Sequence, residues 1–170
     1  MTPSSLSLLT AAIPFACAAL LVTAAATDLA ARIIPNRIPA LLLALGLVLH
    51  VAQGTLVAGL LVAAAVFVFA FVAWQFGAMG GGDVKLLAAT AFCIAPPAVL
   101  ALIVRVAIAG GVLGILYLVA RRVVRAPAGP VPRLASLPAR VLRAERWRIG
   151  RRFPLPYGIA IAVGGLITLI

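Results

Sequence analysis

The sequence predicts an all-α protein, a polytopic membrane bundle of about six transmembrane helices. Three observations predict it. Residues of the set AVILMFWYC make up 65% of the 170 residues, against roughly 45–50% in soluble domains. Mean hydropathy is +1.26 and charged residues are 10%, too few to coat a globule when about 25% is usual. The apolar residues also fall in long runs separated by short polar breaks, as spans of a bilayer require.

The first run extends from about Leu8 to Thr27, long enough for roughly 30 Å of hydrocarbon. Met1 to Leu9 carries no Lys or Arg, so it lacks the charged n-region of a cleavable signal peptide. Asp28, Arg32, Pro35, Asn36 and Arg37 then arrive together, and Pro35 predicts a turn at the membrane face. A second, shorter span runs from about Ile38 to Val51 and closes at Gln53-Gly54. The third runs from about Leu56 to Phe76 and leads into Gly77-Ala78-Met79-Gly80-Gly81-Gly82-Asp83-Val84-Lys85. A fourth, again short, covers Val84 to Ala95 before Pro96-Pro97. The fifth covers Ala98 to Ala120, and the last Pro154 to Ile170. Between these two lies an Arg- and Pro-rich segment, 121–152.

Charge sets the expected orientation. Ten of the fourteen Lys and Arg residues lie in 121–152, as in a cytoplasmic loop under the positive-inside rule. Alternating the spans then puts Arg32, Arg37 and Lys85 on the same side, and Gln53-Gly54 and Pro96-Pro97 outside. Trp74, Tyr117 and Tyr157 fall near cytoplasmic span ends, where an aromatic belt is expected. Arg105, well inside the fifth span, either snorkels or lines a polar cavity. Nucleic-acid binding is disfavoured, because the positive charge is topological rather than spread over a soluble face. From Arg140 to Ile149 no clean apolar stripe forms. A short interfacial segment is expected there, held by charge on anionic lipids with Trp147 at the headgroups.

Only three acids occur: Asp28, Asp83 and Glu145. The topology brings Asp28, closing the first span, and Asp83, opening the fourth, to one face. Acids at membrane depth are costly and rare without a function. Two carboxylates in a low-dielectric site share a proton, so one can take a proton from water while the other polarises a carbonyl. Each has a plainer role open to it: Asp28 could pair with Arg32 at i+4, and Asp83 could cap the fourth span. Gly80-Gly81-Gly82-Asp83 fits G-x-G-D, and its glycines leave backbone open and free to take positive φ. Lys85 reads as a topology anchor and Asn36 as the end of the Pro35 turn, with substrate contact the alternative for each. His50 belongs to the opposite face, outside any catalytic group. Cys17 and Cys93 stand alone in apolar runs, so no metal site or disulfide is expected, nor any cofactor.

Asp28 followed by Ile34-Pro35-Asn36, then Gly80-Gly81-Gly82-Asp83-Val84-Lys85-Leu86-Leu87-Ala88, then Pro156-Tyr157-Gly158-Ile159-Ala160-Ile161 resemble the type IV prepilin peptidases, a branch of the G-x-G-D membrane aspartic proteases. The resemblance runs through nearly the whole chain, 1–170, as one integral membrane peptidase domain. It implies that Asp28 and Asp83 are catalytic and that Gly80, Gly81, Gly82, Lys85 and Asn36 belong to the active-site or substrate-binding region. It further implies removal of a short basic leader from prepilin-like proteins at the cytoplasmic face of the bacterial inner membrane. Longer members add a segment with paired C-x-x-C and methylate the new N-terminus. This chain lacks both features and resembles a short, peptidase-only form. The resemblance assigns nothing to the basic segment. The rival from another class is a small proton- or cation-coupled transporter component using the same Asp pair.

Overall fold

The structure is a computed structural model that describes residues 3–124, 136–151 and 155–169. It is all-α, with no strand among the described residues. The helices are α1 (Pro3–Ala31), α2 (Arg37–Gln53), α3 (Leu56–Gln75), α4 (Gly81–Phe92), α5 (Val99–Val123), α6 (Leu137–Gly150) and α7 (Tyr157–Leu169), with a 3₁₀ turn at Pro96–Ala98 before α5.

Thr10–Ala31, Leu56–Gln75 and Pro96–Val123 are long and apolar enough to cross a membrane, while α2 and α7 are apolar but shorter. Among the six spans expected from the sequence, the second and fourth are short as expected (α2 and α4), the last, α7, is shorter than expected, and the other three are long. Large apolar side chains such as Leu61, Phe69, Ile108 and Ile115 point outward on α3 and α5. An outer surface of that kind is stable against lipid rather than water, and the chain is a membrane protein.

Helix ends follow local chemistry. Gly54 closes α2 in the left-handed conformation at φ +68°, which costs a residue without Cβ little. α1 stops at Ala31, three residues before the position preceding Pro35, and Arg32 follows it at φ +57°. In α4 the helix starts three residues earlier than the apolar pattern suggests. Gly81 and Gly82 form its first turn behind the N-cap Gly80, at φ −77°. The freedom of this run to take positive φ is not used: Gly54 and Gly77 are the described glycines that adopt it. First-turn amides need no partner within the helix, so glycine is tolerated there.

α4 is the hub. Its 12 residues span about 18 Å, and from Leu86 to Phe92 every side chain is buried. It packs against α2, α3 and α7, while α1 packs against α2 and α7, and α5 against α7. The core combines Cys17, Leu21 and Ala24 of α1 with Leu42 of α2, Leu86 and Ala89 of α4, Leu102 of α5 and Ile161 of α7. Arg105 reaches from α5 to the C-terminal end of α7. Its Nη1 donates to the Ile167 carbonyl at 3.2 Å and to Thr168 Oγ1 at 2.9 Å, serving the carbonyl end of α7.

The basic segment departs most from expectation. Its described part contains a helix, α6, with Ser136 at the N-cap and Pro138 in the first turn, where proline is favoured. Residues 125–135 and 152–154 of the segment lie outside the described residues. α6 rests on α1 and α5 through buried Glu145 rather than standing off as a purely charge-held strip.

Candidate active site

Each candidate carboxylate sits at the N-terminal end of a short helix. Asp83 is the third residue of α4, and its Oδ2 accepts a hydrogen bond from the Gly80 amide at 3.2 Å. This is half of a capping box, since Gly80 has no side chain to reciprocate. Asp28 lies in the last turn of α1, and its Oδ2 accepts from the Gly158 amide, in the first turn of α7, at 3.0 Å. Unpaired first-turn amides and the helix dipole favour an anion at both places.

Glycine at 158 is a requirement of space. A Cβ there would lie 2.8 Å from Asp28 Oδ2 and 3.0 Å from Asp28 Cβ. At Gly80 it would lie 2.9 Å from Asp83 Oδ2. Both aspartates are buried, Asp28 to 6% exposure and Asp83 to 8%. Asp83 Oδ1 has no hydrogen-bond partner among the described residues.

The two aspartates line a single cavity of about 780 Å³, together with Arg32, Gly77 to Gly80, Trp147, Arg148, Leu155 and Tyr157. They are close enough for the charge of Asp28 to act on Asp83. The plainer alternative for Asp28, i+4 pairing with Arg32, is not what the structure has: no ion pair joins Asp28 to Arg32 among the described residues, and Arg32 bonds Glu145 instead. Such a cavity has room for a water and an extended backbone segment beside two carboxylates, the minimum for general acid–base hydrolysis.

Other expected residues fall elsewhere. Of the glycine run, Gly80 lines the cavity, whereas Gly81 faces Trp74 and Gly82 packs on Ile34. Lys85 Nζ donates to Asn36 Oδ1 at 3.1 Å. This pair borders a separate, apolar cavity of about 570 Å³ between α2, α3 and α4, as the two-residue offset from Asp83 requires. His50 is fully buried, 2.7 Å from Thr55 Oγ1 through Nδ1, and does not line the aspartate cavity.

Sequence reasoning overlooked the contributions of α6 and α7. Trp147, expected at the lipid headgroups, lines the cavity, and Tyr157, expected in an aromatic belt, does so too. Tyr117 turns inward and donates to Glu145 Oε1. The available signals were Gly158, which lies in a family-like stretch, and Glu145, the one acid in a strongly basic segment.

Neither the curated proteins nor the solved structures include a significant match to this chain. Residues 15–115 match the type IV leader peptidase family. That region holds both aspartates, the G-x-G-D turn and helices from α1 into α5. The chain belongs to the type IV leader peptidase family.

Proposed function

We propose that the protein is a membrane-embedded aspartic endopeptidase that removes the short basic leader from prepilin-like proteins. In this reading one of Asp28 and Asp83 takes a proton from water, and the other, protonated, polarises the scissile carbonyl. The carrying observation is that these two acids, 55 positions apart, line one cavity and each accepts one glycine amide. Residues 1–170 act as one unit in this account. The positive-inside pattern supports a cytoplasmic active site in the bacterial inner membrane, with exposed arginines of the basic segment such as Arg140 and Arg146 on anionic lipids.

The transporter reading loses ground to family membership and to the position of both acids in one cavity, with no chain of acids leading across the bilayer. The test is reconstitution of the full chain in liposomes with a prepilin-like protein carrying a basic leader. Mass spectrometry should find a new N-terminus directly after that leader. An intact substrate after prolonged incubation with correctly inserted protein would contradict the proposal.

A further inference from the structure

Glu145 accepts hydrogen bonds from three side chains: Arg32 Nη2, the Tyr117 hydroxyl and, at 3.1 Å, Arg148 Nη1. It is 8% exposed, so this carboxylate is committed to that cluster. Both arginines line the cavity that holds Asp28 and Asp83. A guanidinium that reached Asp28 would form a strong, often bidentate pair. It would occupy the lone pairs that the proposed mechanism needs for the proton of water.

The two arginines are restrained to different degrees. Arg148 is held independently of Glu145: Nη1 donates to the Leu29 carbonyl at 2.7 Å and Nη2 to the Ala30 carbonyl at 3.0 Å. These are last-turn carbonyls of α1, where a cation is favoured. Among the described residues, the Arg32 side chain has as partners Glu145 and, at a long 3.4 Å, the Tyr117 hydroxyl. Its Nε and Nη1 are buried with no partner among the described residues. Its backbone is left-handed at φ +57°, a conformation uncommon outside glycine and frequent at functional sites. Arg32 follows Asp28 by four positions, and the charges of Arg32, Glu145 and Arg148 all act on Asp28.

Asp83 of α4 accepts from Gly80 through Oδ2, while its Oδ1 has no partner among the described residues and shares the cavity with Arg32, so a released Arg32 could pair with either aspartate. Lys85 is bound to Asn36 on the far side of α4, and Arg37 is exposed at the start of α2. Tyr157 of α7 lines the cavity as well.

Resting on the Asp28–Asp83 reading, we propose that Glu145 is a positioning residue. It binds Arg32 and so keeps that guanidinium off the Asp28 carboxylate, leaving Asp28 free to act on water. The consequence is unusual for an ion pair: loss of Glu145 is harmful because of what it releases, and removing Arg32 as well repairs the damage.

The test compares Glu145→Gln, Arg32→Gln and the double variant, each as full chain in liposomes, with cleavage of a prepilin-like protein normalised to inserted enzyme. Glu145→Gln should lose about tenfold or more in kcat with KM within about twofold, and the double variant should return to within about threefold of wild type. A pair that merely holds the fold together predicts that the single variants lower the amount of inserted enzyme while kcat per inserted molecule stays within about threefold of wild type, since a lone buried charge destabilises without touching the chemistry, and that result overturns the proposal. Should Glu145→Gln not accumulate, Glu145→Asp, which keeps the charge and shortens its reach, takes its place: a loss in kcat that Arg32→Gln repairs supports the proposal, and an unchanged kcat overturns it. Asp28→Asn in the same assay separates the two ideas. Wild-type cleavage by Asp28→Asn removes the dyad and this role together. An inactive Asp28→Asn beside a fully active Glu145→Gln removes only the role of Glu145.

Discussion

At residue 158 a single methyl group separates a working site from a displaced one. Gly158→Ala places Cβ 2.8 Å from Asp28 Oδ2, so either the start of α7 or the carboxylate must move. Overpacking of this sort costs about 1–3 kcal/mol, and a displacement near 1 Å at a reacting group can cost about a hundredfold in rate. Gly158→Ala is therefore expected to accumulate while losing between about tenfold and a hundredfold in turnover; near-normal turnover would mean that the Gly158 amide does not orient Asp28. Lys85→Gln is the contrasting case, because Lys85 bonds Asn36 beside a different cavity. It should leave turnover per inserted molecule within about threefold of wild type, and a larger loss would place Lys85 in the reaction. The two aspartates were legible in the sequence because acids are so scarce in it. Their glycine partners were only partly so: Gly80 lies beside Asp83 in a motif, but the contact between Gly158 and Asp28 joins residues 130 positions apart, and no local pattern encodes it.

Among the elements, α6 is the one whose character changed most between sequence and structure. Its arginines suggested a strip held by lipid charge, yet Glu145 and Arg148 dock it on α1 and α5. The periodicity offered no apolar stripe because α6 is held by an ion cluster, whose partners lie on other helices. Arg140 and Arg146, by contrast, are exposed and remain available to a membrane surface. Their joint replacement by Gln should weaken flotation with anionic liposomes, at about 1 kcal/mol per Arg, and leave turnover per inserted enzyme unchanged. Equal binding to anionic and neutral liposomes by wild type and variant alike would remove the lipid role. The helix starts show a related limit. Hydropathy locates α4 but not its first turn, because Gly81 and Gly82 have poor helix propensity and still fit where amides are free.

On the scale of the whole molecule, the fold class was the most legible feature, since lipid-facing helices must be apolar along their length. Span length was partly legible: α2 and α4 read as short in the sequence, whereas α7 did not, and all three serve a bundle whose hub is itself only 12 residues long. Orientation rests on cation distribution alone and has its own check. In a background without Cys17 and Cys93, a cysteine at Arg140 should react with impermeant reagent only from the cytoplasmic side, and one at Gln53 only from outside; the reverse pattern would move the cleavage site to the other face. The account turns, however, on two buried carboxylates acting as a pair. The most direct measurement is prepilin cleavage by reconstituted Asp28→Asn and Asp83→Asn, each normalised to correctly inserted protein. Both substitutions keep side-chain volume and remove the ionisable group, so each should reduce kcat by at least about a thousandfold, with the double variant scarcely worse than either single one, as for groups that act as a unit. Retention of most activity by either variant would contradict the pair.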